Sequence, residues 1–115
     1  MKKFVVIYRV PVETMQEWKK TTTPEEMKAQ GEKLGKDMMA WTKKNEGALV
    51  DKGMPLGKNR RMSATGTEDV ANDLNYVCTV EAESSDAVER MFRDNPHFDI
   101  PTSFIDIMEV PHMGM

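Results

Sequence analysis

Residues 23–45 read TPEEMKAQGEKLGKDMMAWTKKN, and the fold turns on them. Thr23 is a natural N-cap, Pro24 takes the first helical position, and Glu26 stands three residues after the cap, where its carboxylate can reach back. At about 100° per residue, Met27, Gly31, Leu34, Met38 and Trp41 gather on one stripe. Lys28, Glu32, Lys33, Lys36, Lys43 and Lys44 fall on the other side. Glu32 and Lys36 form a favourable i,i+4 pair, and Lys43 and Lys44 suit the negative end of a helix. Gly47 marks the region of its end. Gly31 and Gly35 each cost about 1 kcal/mol against Ala, and the expected compensation is a close approach of this helix to a sheet.

Working outward, FVVIY at residues 4–8 reads as a strand buried on both sides. Between it and the long helix, residues 11–23 hold Met15 and Trp18 in a polar stretch. Three apart, these two can share a face of a short helix and act as a lid. After the helix, residues 48–50 form a short strand and residues 51–57 a turn-rich stretch. Residues 60–65 alternate loosely and residues 67–75 form a polar loop. Residues 76–82 alternate again, with Tyr76, Cys78 and Val80 on one face. The stretches 60–65 and 76–82 are expected to pair as a hairpin across the polar loop. Ser84-Ser85-Asp86 opens a second helix, with Ala87 or Val88, Met91 and Phe92 on its apolar face and Pro96 as its stop. Residues 104–110 make a closing strand, apolar on both faces except for Asp106 and Glu109, before a tail at 111–115.

The order strand, long helix, two strands, helix, strand predicts a ferredoxin-like α+β domain over residues 1–115. Its two helices lie on one face of an antiparallel sheet. The first and last strands are apolar on both faces, so the second face needs a cover. A second copy of the chain is the simplest one, giving a homodimer with facing sheets, a dimeric α+β barrel.

Composition narrows the classes. The chain has 115 residues, net charge −3, one Cys and 11 Met. One Cys can make neither an intramolecular disulfide nor a multi-Cys metal site. The acidic balance argues against nucleic acid as a partner. No run nears the roughly 20 apolar residues of a membrane helix, and the amino-terminal apolar run is too short for a signal peptide. A cytoplasmic domain without cofactor or metal is expected. Met outnumbers Leu, so Met is read as core filler.

The sequence resembles the YCII-related (DGPF-like) family of small dimeric α+β barrel proteins. The resemblance is carried by residues 41–57, centred on GALVDKGMPLG at 47–57, and by residues 76–91 through Glu81-Ala82-Glu83-Ser84. Asn95-Pro96-His97-Phe98, residues 105–110 and the Met-rich tail add to it. It implies the fold and the dimer already argued. Some members carry a His–Asp pair with the His early in the chain; here the first His is His97, so that pair is absent.

Candidate site residues follow from residue type. His97 titrates near neutrality and can serve as acid, base or ligand; after a helix stop it more often caps or sits at the surface. His112, in the tail, is a weaker case of the same kind. Asp51 either orients a ligand or bonds its own turn, and the turn is favoured. Asp106 and Glu81 are acids within apolar strands, and a cavity-facing one could act as a base. Arg60 and Arg61 could hold an anion, although alternation aims them apart. Cys78 reads as a small buried apolar residue. Trp41 is assigned to packing, as is Met108; Met113, Met115 or Met54 would be the places for a functional Met. The favoured function is a homodimeric small-molecule-binding or regulatory module without assigned chemistry. Its pocket would lie between helix and sheet or between subunits, with His97, Asp51, Asp106 and Arg60 as candidate ligand contacts. The alternative is an enzyme performing proton transfer on a small organic substrate, with His97, Asp51 or Asp106 as the base. A purely structural dimer is a third reading.

Overall fold

The computed structural model describes residues 1–112. Strand β1 (Lys2–Arg9) leads to helix α1 (Val12–Thr21) and the long helix α2 (Pro24–Lys44). Strands β2 (Met54–Pro55), β3 (Arg60–Ser63), β4 (Gly66–Asp69) and β5 (Leu74–Ala82) follow. Helix α3 (Ser85–Phe92), a 3-10 turn (Pro96–Asp99) and strand β6 (Phe104–Glu109) complete the chain. Four strands form an antiparallel sheet in the order β2-β5-β1-β6. This is the α+β, ferredoxin-like arrangement that the order of elements predicts, with α1 and a β3–β4 hairpin added.

The helix signals are realised atom by atom. The Thr23 side chain accepts from the Glu26 N–H at 3.1 Å, and the Glu26 carboxylate accepts from the Thr23 N–H at 3.0 Å. These bonds hold Glu26 below the usual carboxylate range. Ser84 caps α3 in the same way, accepting from the Ala87 N–H. Both helices lie on one face of the sheet. Trp41 and Met38 of α2 and Val88, Phe92 and Met91 of α3 pack on Phe4, Val6, Tyr8, Cys78 and Val80. The Trp41 and Phe92 rings meet at 4.7 Å.

Three expectations are corrected. Residues 60–65 do not pair with 76–82; β3 pairs with β4 next to it, Arg60 opposite Asp69 and Ser63 opposite Gly66. Gly66, at φ +150°, and the Ser63 hydroxyl close that tight turn locally, at far less loop entropy than a distant partner requires. The strand at 48–50 shrinks to a single bridge, Leu49 to Val80, and the ladder resumes at Met54. A turn intervenes in which Gly53 has φ +84° and lies so close to Tyr76 that a Cβ would stand 2.5 Å from the ring. Gly31 and Gly35 meet nothing within 4 Å, so no close approach compensates for them. Only Trp41 of the α2 stripe is buried, Met27 and Leu34 are half-covered, and α1 buries no residue. Instead α1 is tied on by polar bonds, Trp18 Nε1 donating to Gln30 and Thr14 meeting Thr102.

The consequence is a broad, thin molecule. Its extents are 46 × 43 × 20 Å and its radius of gyration is 16.1 Å, against roughly 13 Å for a compact domain of this length. Twenty ångströms is about one sheet layer plus one helix layer. The second face of the sheet is therefore uncovered.

Candidate functional site

Pairing register fixes what the uncovered face carries. Phe4, Val6 and Tyr8 point to the helices, so Lys3, Val5, Ile7 and Arg9 point away. Val5 lies opposite Thr79 and Met108, Ile7 opposite Val77 and Asp106, and Arg9 opposite Leu74 and Phe104. Met54 pairs with Val77 and joins the same face. Alternation adds Leu56 and Val110. Met54 is 60% exposed, Met108 46% and Phe104 38%. The face is an apolar field with a charged end.

That end is built around Arg9, which the sequence reading passed over. Arg9 Nε and Nη2 donate to Asp73 Oδ1 at 3.0 and 2.7 Å, and Nη1 donates to Asp106 Oδ2 at 2.8 Å. Its Cζ lies 5.4 Å from the centroid of the Phe104 ring, a cation–π distance. The bonds it donates to Asp73 and then to Asp106 raise the guanidinium above its ordinary value. The sequence signal was present: Arg9 continues the period-two row of Val5 and Ile7 with a charge.

Beside this node lies an open cleft of about 440 Å³, lined by Arg9, Pro11, Val12, Glu13, Arg61, Ala71, Asn72 and Asp73. The β1–α1 connection forms one wall and the segment leading into β5 the other, with Arg61 reaching in from the hairpin. Helix α1 begins there without a side-chain cap. The Asn72 Oδ1 accepts from the Leu74 N–H at 3.0 Å, which leaves its amide nitrogen free to donate. A second, apolar hollow of about 290 Å³ lies on the helix side, among Phe92, Phe98, Ile105 and Ile107, with Glu89 and Arg93 at its rim.

Behind Arg9, on the helix side, sits a buried polar cluster. Asn95 caps the 3-10 turn by accepting from the His97 N–H, and its amide donates to the Tyr8 hydroxyl at 3.0 Å. His97 Nε2 donates to the Arg9 carbonyl at 2.9 Å, and its ring lies 5.1 Å from that of Tyr8. Burial pushes His97 below its ordinary value, opposed by the backbone carbonyl of Arg9. Burial likewise raises the Tyr8 hydroxyl, and it pushes the Cys78 thiol up to about 11, with Asp51 adding to the rise. A thiol held that high is protonated at neutral pH and a poor nucleophile.

The predicted site residues are therefore distributed as follows. Asp106 stands on the uncovered face, bound to Arg9. His97 holds the backbone of the same Arg9 from the opposite side, so these two converge on one residue without their side chains meeting. Asp51 accepts from the Gly53 N–H at 2.8 Å and so closes its own turn. Arg60 pairs with Asp69 on the exposed hairpin at 3.3 Å, while Arg61, aimed the other way, reaches the cleft. Glu81 is exposed at the far end of the uncovered face and His112 is exposed in the tail. Trp41 donates to Asp94 from its packed position, and Trp18 is engaged with α2. Met113 and Met115 lie outside the described residues. Among the described residues, no helix is long and apolar enough to cross a membrane.

No family model matches the chain, and no curated protein matches it. Among solved structures it is similar to 5-chloro-2-hydroxyhydroquinone dehydrochlorinase from Burkholderia phenoliruptrix AC1100, determined in complex with 2,5-dihydroxybenzoquinone. Identity is 13%, 90% of each chain is covered, and the TM-score is 0.49.

Proposed function

We propose that this chain is a homodimeric small-molecule-binding or regulatory module, its two sheets packed face to face, with its ligand in the cleft beside Arg9. The observation that carries this reading is the uncovered face itself. Val5, Ile7, Met54, Leu56, Val77, Phe104, Met108 and Val110 form one apolar field that ends at the wall of a ligand-sized cleft. The cover is a second copy, because the field is broad and a two-fold contact sets one such patch against itself. It also carries both charge signs at each end, Lys3 with Glu81 and Arg9 with Asp106. A like copy can meet this face without facing a single-sign field. The resemblance of residues 41–57 and 76–91 to the YCII-related family points the same way.

Binding without chemistry is favoured by how the acids and bases other than Glu13 are used. Asp73 and Asp106 spend oxygens on Arg9, Asp51 spends one on its turn, and His97 is buried in a structural bond. A general base must reach its proton directly or through one water. The test is a thermal-shift screen of small polar molecules on the full chain. Hits are mapped by amide NMR and followed by mass spectrometry. A hit at 100 times its Kd should stabilise the fold by about 2.7 kcal/mol, shift the signals of Val12, Glu13 and Asn72, and be recovered unchanged. Conversion of the hit would overturn binding without chemistry. Hits that map elsewhere would overturn the cleft.

A further inference from the structure

The donors and acceptors of the cleft are unequal, and the inequality specifies a ligand. Arg9 has five N–H groups and uses three on Asp73 and Asp106, so two remain. Arg61 makes no ion pair among the described residues, even with Glu68, its cross-strand neighbour. Asn72 turns its oxygen inward to Leu74 and keeps its amide nitrogen. Asp73 is bound to Arg9, which leaves Glu13 as the one acid of the lining not so engaged. Pro11 and Val12 on one wall and Ala71 on the other supply the apolar part of the lining.

We propose that the cleft takes a small organic acid, its carboxylate held by Arg61 and the Asn72 amide and its apolar body against Pro11, Val12 and Ala71. Resting on the cleft reading above, this adds the chemical class of the ligand. Arg61 is the chief contact because a guanidinium presents two parallel N–H groups to a carboxylate, and among the described residues it makes no ion pair. The Arg9 node fixes the back of the site, and Glu13 repels a misplaced anion.

The experiment is an amide NMR titration of the full-length protein at fixed ionic strength with sodium benzoate, its neutral isostere benzamide, and inorganic phosphate. Benzoate should saturate the shifts of Val12, Glu13, Ala71 and Asn72. Benzamide should bind about ten-fold or more weakly, and phosphate, a head without a body, should compete only at high concentration. Arg61→Gln should lose about ten-fold or more of the benzoate affinity and erase the preference over benzamide. Arg61→Lys should recover part of it, Arg60→Gln should change nothing, and Glu13→Gln should tighten benzoate a few-fold. Equal binding of benzoate and benzamide at these residues would overturn the acid while leaving the cleft intact. Phosphate binding as tightly as benzoate would overturn the apolar wall. An Arg61→Gln protein that binds benzoate as the parent does would remove Arg61 from the site. Silence of all three probes at the cleft would overturn both the acid and the cleft.

Discussion

The two faces of the sheet are cut from the same strands and differ by a single residue of phase. On the helix side, Phe4, Val6, Val80 and Cys78 are at most 3% exposed. On the other side, Val5, Ile7 and Val77 are half-covered by their neighbours, and Met108, Phe104 and Met54 stand in solvent. Both rows are apolar, so hydrophobicity alone does not separate them. What separates them is the supply of helices: α2 and α3 cover one face, and α1, which buries nothing, covers neither. An apolar strand on an antiparallel sheet is normally alternating, polar toward water. β1 and β6 break that pattern, and this is what the proposed second copy accounts for.

The comparison breaks first in the core. Phe4→Ala should cost about 3–5 kcal/mol in urea unfolding, whereas Ile7→Ala, three residues along and on the other face, should cost the isolated chain about 1 kcal/mol. Equal losses would mean that the faces are equally packed. A smaller effect tests the polar cluster behind the closed face. Asn95→Ala removes the donor to Tyr8 and the cap on His97, and should cost about 1–3 kcal/mol by the same measurement.

Next comes pH. Burial holds His97 below its unfolded value, so the unfolded chain takes up that proton first. Stability should therefore be intact above about pH 6.5 and fall as the solution is acidified below it. His97→Gln should flatten that part of the profile, and a flat profile in the parent would show that the ring is not held neutral. The smallest effect belongs to the hairpin. Arg60→Ala removes an exposed ion pair and should leave stability within about 0.5 kcal/mol of the parent.

Much of the fold is legible because local and global signals agree. Thr23, Pro24 and Glu26 announce α2 through chemistry confined to four residues, and Ser84 does the same for α3. The order of elements then leaves few topologies. The errors lie where pairing is decided by geometry that residue type does not encode. Residues 60–65 alternate well enough to pair with a distant strand, yet Gly66 closes a nearer turn. Gly31 and Gly35 imply close packing only if something is there to pack, and nothing stands within 4 Å of a Cβ at either. The candidate site was less legible still. Asp106 and His97 were singled out by type, but their common partner Arg9 is an ordinary residue at the end of a strand. Asp73, the other half of its ion pair, is 64 residues away in sequence. Arg60 was preferred to Arg61 although the strand period sends only one of them to the cleft, and which one depends on a register that sequence alone does not fix.

A second copy over the open face doubles the mass in solution, which sedimentation equilibrium at micromolar concentration reads. The parent protein should sediment at twice the 13.1 kDa chain mass. Ile7→Lys, which places a charge in the middle of the uncovered row without touching the helix side, should sediment at the chain mass and keep its helical circular dichroism. A parent protein that sediments at the chain mass, or an Ile7→Lys protein that still sediments at twice it, would contradict the account.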